Sequence, residues 1–115
     1  MTARPAHRLK KRSAFLRVAR EGRKVATRSL VLQSLETDAN SGLRSGFTAT
    51  KKIGNAVARN RTKRRLREAL RLTTAEATCR PADIVVIGRA ATRQLPFSQL
   101  LRDMRDGLRK LNVLP

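Results

Sequence analysis

The sequence predicts an α+β fold built on one sheet, and three observations carry that prediction. Ile84, Val85, Val86 and Ile87 form an unbroken apolar run, the pattern of a strand covered on both faces. Phe97, Leu100, Leu101, Met104, Leu108 and Leu111 recur at helical spacing, which marks an amphipathic core helix near the end of the chain. Between residues 24 and 51, stretches rich in β-branched residues surround a turn cluster, and a long basic helix follows. A length of 115 residues suits one domain, so residues 1–115 are read as a single unit whose basic segment 1–11 is expected to be flexible.

The elements follow in order. Ser13 precedes AFLRVARE and Gly22 stands just past it, which predicts a short helix with a serine N-cap and a glycine stop. Phe15, Val18 and Ala19 share one face of that helix. Residues 24–36 read as strand, with room for two. The turn cluster DANSG at 38–42 then predicts that residues 43–51 return as an antiparallel partner. Gly54 and Asn55 stop that strand, and Asn55 is placed to cap a helix over residues 56–73. Around this helix Ala58, Thr62, Leu66, Ala69, Leu70 and Thr73 gather on one side, while Asn60, Arg61, Arg64, Arg67 and Arg71 lie on the other. So thin an apolar stripe predicts docking along one edge only, with Arg59 and Lys63 awkwardly close to it. A polar connection containing Cys79, Arg80 and Pro81 leads to the strand DIVVIGR, and Pro96 opens the last helix.

Charge narrows the function. Twenty-seven Lys and Arg against eight Asp and Glu give a net charge of +19, a field that collects polyanions, with nucleic acid the first candidate and an anionic membrane the second. The lone Cys79 allows no internal disulfide and no Cys/His zinc cluster, and a cytoplasmic protein is expected because neither a membrane-length apolar run nor a secretory signal is present. The basic N-terminus has the composition of a mitochondrial targeting peptide, but it runs directly into the first helix.

No set of residues predicts protein-based catalysis. His7 stands alone near the N-terminus and reads as a solvated side chain, and Cys79 has no histidine to activate it. Asp103 and Asp106 lie among Arg102, Arg105 and Arg109, where surface ion pairing explains them without metal. Neither GxxxxGK[ST] nor GxGxxG occurs. Three phenylalanines with no tyrosine or tryptophan fit poorly with a sheet that stacks a row of bases. Arginine outnumbers lysine within 59–71, and guanidinium forks that grip phosphate and stack on bases suit folded RNA. A structural RNA-binding protein such as a ribosomal component shares these features. A DNA-binding regulator would need a paired recognition helix, which the flanking strands oppose.

The segment KKIGNAVARNRTKRRLREA, residues 51–69, resembles the signature of the bacterial ribonuclease P protein subunit, with Arg59, Asn60 and Arg61 as the family's RNR triplet. RLKKRSAFLRVAREG and DIVVIGR, followed by the terminal amphipathic helix, fall in the family's order, so the resemblance covers nearly the whole chain. It implies an αβββαβα order, a four-stranded mixed sheet like that of the second domain of a ribosomal small-subunit protein, and a left-handed βαβ crossover through the RNR helix, against the usual hand. The implied activity is removal of the 5′ leader from precursor tRNA by a ribonucleoprotein endonuclease whose RNA subunit performs Mg²⁺-dependent hydrolysis. The protein itself would need no cofactor, no catalytic residue and no protein partner.

Carried over by position, Arg59, Asn60, Arg61, Lys63, Arg64, Arg65 and Arg67 would lie against the catalytic RNA. The leader cleft would take Phe15 from the first helix and Thr48, Thr50 and Lys51 from a strand, although Phe15 suits a core position equally well. Two positions depart from the family, because Ala19 and Gln33 stand where further aromatics are usual. Arginine and lysine would then supply more of the leader affinity.

Overall fold

A computed structural model describes residues 7–38, 42–75 and 77–115, apart from the side chain of His7. The elements are β1 (His7–Arg8), α1 (Arg12–Glu21), β2 (Arg23–Ala26), β3 (Leu30–Glu36), β4 (Leu43–Ala49), a 3₁₀ turn (Lys51–Ile53), α2 (Ala56–Thr74), β5 (Ala82–Gly88), α3 (Ala90–Gln94) and α4 (Phe97–Lys110). The α+β mixed sheet is as expected, with the four anticipated strands joined at one edge by the two-residue β1. Its order is β1-β4-β5-β3-β2.

The apolar run of β5 takes the centre. It pairs antiparallel with β3, from Leu30↔Gly88 to Glu36↔Ala82, and parallel with β4, from Leu43↔Ala82 to Ala49↔Gly88. The expectation that residues 43–51 would return as an antiparallel neighbour of the preceding strand is therefore corrected. A turn signal specifies reversal but not adjacency, and β5, apolar on both faces, inserts between β3 and β4. Residues 39–41 of that turn lie outside the described residues. The strand also stops early, at Ala49, which leaves Thr50 in the loop and Lys51 in the 3₁₀ turn.

One face of the sheet carries the main core. Leu30, Leu32, Leu43, Ile84 and Val86 meet Leu66 and Leu70 of α2 and Leu100, Met104 and Leu108 of α4, all fully buried. On the other face α1 lays Val18 against Val85, with Leu9, Leu35 and Ile87 around them. Leu9 is buried and its N–H donates to the Ser45 carbonyl at 2.9 Å, so residues 7–9 join the edge of the sheet. Residues 1–6 and the His7 side chain lie outside the described residues.

Several local expectations are corrected. Helix α1 starts at Arg12 with Lys11 at its N-cap and no side-chain cap, so Ser13 is inside the first turn. Gly22 ends it in extended conformation, not left-handed, and is small for a different reason: a Cβ there would lie 2.5 Å from the Ser34 carbonyl oxygen. Asp103 accepts hydrogen bonds from Ser29 Oγ at 2.6 Å and Gln99 Nε2 at 3.0 Å, not from the neighbouring arginines. The short α3 was not anticipated. Its first turn is closed by Thr92 Oγ1, which accepts from the Arg89 N–H at 2.8 Å and donates to the Ser29 carbonyl.

Candidate nucleic-acid interface

Asn55 does cap α2, its Oδ1 accepting from the Ala58 N–H at 2.9 Å. The buried side of the helix is Ala58, Thr62, Leu66, Ala69, Leu70, Thr73 and Thr74. Threonine can serve in this stripe because each hydroxyl is satisfied within the helix. Thr62 donates to the Ala58 carbonyl at 2.9 Å, Thr73 to Ala69 at 2.9 Å and Thr74 to Leu70 at 2.8 Å. Small side chains bring the helix close to the sheet, and a Cβ at Gly88 of β5 would lie 2.6 Å from Thr62 Cγ2.

The outward face holds what remains of the predicted set. Asn60, Arg61, Arg64 and Arg67 are exposed, and Arg59 and Lys63 are half-buried beside the stripe. The Arg67 guanidinium lies 5.5 Å from the centroid of the Phe47 ring, a cation–π contact that orients it while leaving it in solvent. Arg71 pairs with Glu68 one turn back, which lowers the Glu68 carboxyl below its ordinary range and raises the Arg71 guanidinium.

Arg65 departs from this face. Its Nη1 donates to the Thr92 and Arg93 carbonyls at 2.8 and 3.0 Å, its Nη2 donates to the Leu95 carbonyl at 2.9 Å, and its guanidinium lies 5.8 Å from the Phe97 ring centroid. It fastens the α3–α4 connection to α2. A charge run in sequence cannot distinguish such a clasp from its solvated neighbours.

The second predicted surface lies on the α1 side of the sheet. Phe15 is half-buried, packs with the Val18–Val85 cluster, and covers Gly46 so closely that a Cβ there would lie 2.3 Å from its Cζ. It is thus a packing residue and a partly open ring at once. Strand alternation puts Thr48 on the same face as Gly46, and Gln33, paired with Val85, also lies there. Helix α1 contacts β2, β3 and β5, while Thr48 and Gln33 stay half-buried. Thr50 and Lys51 are exposed just beyond the strand, and Ala19 is exposed on α1.

Sequence reasoning missed one fixed charge on this face. Arg44 Nε and Nη2 bind Asp83 Oδ1 and Oδ2 at 2.7 and 2.6 Å, and this hydrogen bonding, opposed by partial burial, raises the guanidinium pKa. The two residues are register partners on β4 and β5, a relation visible only once the parallel pairing is known. Cys79 is buried, and burial pushes its thiol pKa up, the wrong direction for a nucleophile.

A basic, partly tethered helix beside a half-open sheet face has relatives. The sequence model of the ribonuclease P family matches residues 4–112. The chain belongs to the ribonuclease P protein family. A ribonuclease P protein component from Gluconacetobacter diazotrophicus is 55% identical over 108 residues, which cover 94% of this chain and 93% of that protein. One from Ruegeria pomeroyi is 50% identical, covering 91% and 86%. The ribonuclease P protein of Staphylococcus aureus superposes with a TM-score of 0.80 at 30% identity, covering 96% of this chain and 99% of that one. That of Thermotoga maritima gives 0.74 at 26% identity, covering 95% and 98%. The family expected from residues 51–69 is thus the one found, and the ribonuclease P proteins share this α+β sheet.

Proposed function

We propose that this chain is the protein subunit of a ribonuclease P ribonucleoprotein, in which it binds the RNA subunit through α2 and the 5′ leader of precursor tRNA along the α1 side of the sheet. The observation that carries this is the outward row Asn60, Arg61, Arg64 and Arg67 on a helix whose opposite side is fully committed to the core, within a chain of this family. Arg59 and Lys63 flank the row at its N-terminal end. Guanidinium groups held at fixed spacing neutralise closely approaching phosphates, which raises the affinity for RNA and reduces the Mg²⁺ needed to hold the assembly together.

The chemistry is assigned to the RNA, and cleavage by the protein alone is not expected. Among the described residues no cluster of three or more His, Cys, Asp or Glu side chains is present, and in the proposed assembly Mg²⁺ belongs to the RNA. On the leader side, the open part of the Phe15 ring and Thr48 offer a stacking surface and a hydroxyl, with Thr50 and Lys51 at the rim. Gln33 and Ala19 occupy the same region without aromatic rings, so stacking contributes less there than charge. Among the described residues no helix is long and apolar enough to cross a membrane, and the proposed site of action is the cytoplasm.

Reconstitution tests this role. Added to a bacterial ribonuclease P RNA at low Mg²⁺, the protein should stimulate 5′ cleavage of precursor tRNA. Joint replacement Arg61→Ala and Arg64→Ala should weaken assembly and flatten the log–log salt dependence by roughly 0.7 to 0.9 per lost phosphate contact. Unchanged salt dependence with full activity would remove α2 from the interface. A purely structural RNA-binding protein would bind RNA without altering precursor cleavage.

A further inference from the structure

Beside the N-terminal end of α2, a cavity of about 400 Å³ is lined by Gly54, Asn55, Val57, Ala58, Arg61 and Arg93. Its two charged walls come from different elements, Arg61 from α2 and Arg93 from α3. No carboxylate lines it, and among the described residues neither guanidinium makes an ion pair or hydrogen bond with an acid. Two cations sharing a concave, acid-free surface repel each other unless an anion lies between them.

The backbone of one charged wall is anchored. Arg65 donates to the Arg93 carbonyl at 3.0 Å and to the Thr92 and Leu95 carbonyls at 2.8 and 2.9 Å, so the backbone that carries Arg93 is fixed to α2 itself. The cavity is also lined by Gly54, whose φ of 143° only glycine adopts without strain. Arg93 Nη1 would lie 3.9 Å from a Cβ placed there, so the guanidinium stands close to this glycine.

We propose that this cavity is a phosphate-binding site for an RNA phosphodiester, gripped between Arg61 and Arg93, with Arg65 as the positioning residue that holds Arg93 in place. The site extends the interface beyond α2 to α3 and reassigns Arg65 from RNA contact to support. This rests on the RNA-binding role proposed above. The phosphate can come from the RNA subunit or from the precursor tRNA, which present the same chemistry.

The test uses the intact protein in two arms. In the first, inorganic pyrophosphate is titrated while the side-chain Nε–Hε resonances of Arg61 and Arg93 are followed by NMR. Both should shift with one saturation curve, Arg93→Ala should abolish the saturable shift of Arg61, and Arg105→Ala, which removes the same charge from α4, should leave it. In the second arm, Arg93→Ala should weaken RNA binding about three- to tenfold and flatten the salt slope by roughly 0.7 to 0.9, while Arg93→Lys keeps the slope and recovers part of the affinity. A loss in binding to the ribonuclease P RNA alone places the phosphate on that RNA, and a loss only in precursor binding by the assembled enzyme places it on the substrate. An Arg93→Ala protein equal to wild type in both binding measurements, or independent and unsaturated shifts of the two arginines, overturns the proposal. Failure of the wild-type protein to stimulate precursor cleavage would instead overturn the ribonuclease P role, and the pyrophosphate arm reads the cavity without that assembly.

Discussion

Helices α2 and α4 lie side by side on the same face of the sheet, yet they are held by different means. Helix α4 enters the core with Leu100, Met104 and Leu108, large side chains with no exposed surface. Helix α2 contributes only Leu66 and Leu70 of comparable size, and the rest of its stripe is Ala58, Thr62, Ala69, Thr73 and Thr74. What α2 lacks in apolar burial it replaces with directional bonds, the Asn55 cap and the Arg65 clasp. A helix meant to present arginines outward cannot be wrapped on all sides. Its position is therefore specified by a few oriented contacts, whereas α4 is placed by non-directional hydrophobic burial.

The comparison breaks most visibly at α4. Leu108→Ala should lower the unfolding free energy by about 2–5 kcal/mol, because the lost transfer energy adds to the cavity left beside the sheet. Urea denaturation measures it, and a loss under ~1 kcal/mol would mean that the core can collapse around the gap.

At α2 the corresponding lesion is polar. Arg65→Ala removes three bonds from a charged donor to backbone carbonyls and should cost about 1.5–3 kcal/mol. Hydrogen exchange should rise first in α3 and the 94–96 connection, not across the sheet, because those are the carbonyls released. Uniform exchange throughout the molecule would show that Arg65 is no local clasp. Asn55→Ala, which leaves one N-terminal amide of α2 unpaired, should cost a smaller ~0.5–2 kcal/mol.

Sequence patterns foretold α2 and α4 for related reasons. The leucines of α4 repeat at a period that admits one reading, and in α2 the cap, the stripe and its threonines all sit where helical geometry alone places them. The order of the sheet was less legible. Residues 38–42 announce a turn, but which strand lies beside β4 depends on β5, nearly forty residues later. The site divides in the same way. Spacing assigns Arg61, Arg64 and Arg67 to the outer face and leaves Arg65 off it, but the role of Arg65 as a clasp is not readable, since its partners belong to a connection whose path the sequence does not encode locally. Asp83 and Arg44 are likewise joined only by parallel register.

The smallest expected effect separates the docking side of α2 from its outward side. Glu68 and Arg71 pair on the exposed surface, and the hydrogen bond from Arg71 holds the Glu68 carboxyl below its ordinary range. The folded state thus binds that proton less tightly than the unfolded chain, so the pair's contribution is present above the ordinary carboxylate range and is lost as the pH falls through the lowered value. Glu68→Gln should therefore unfold at a slightly lower urea concentration than wild type near pH ~7, with the difference vanishing near pH ~2, where both side chains are neutral. Its RNA affinity should hold or rise, because an acid has been removed from the cationic face. Stability and RNA affinity falling together would mean that Glu68 orients the arginines as well as pairing with one of them, and the two sides of α2 would then not be independent.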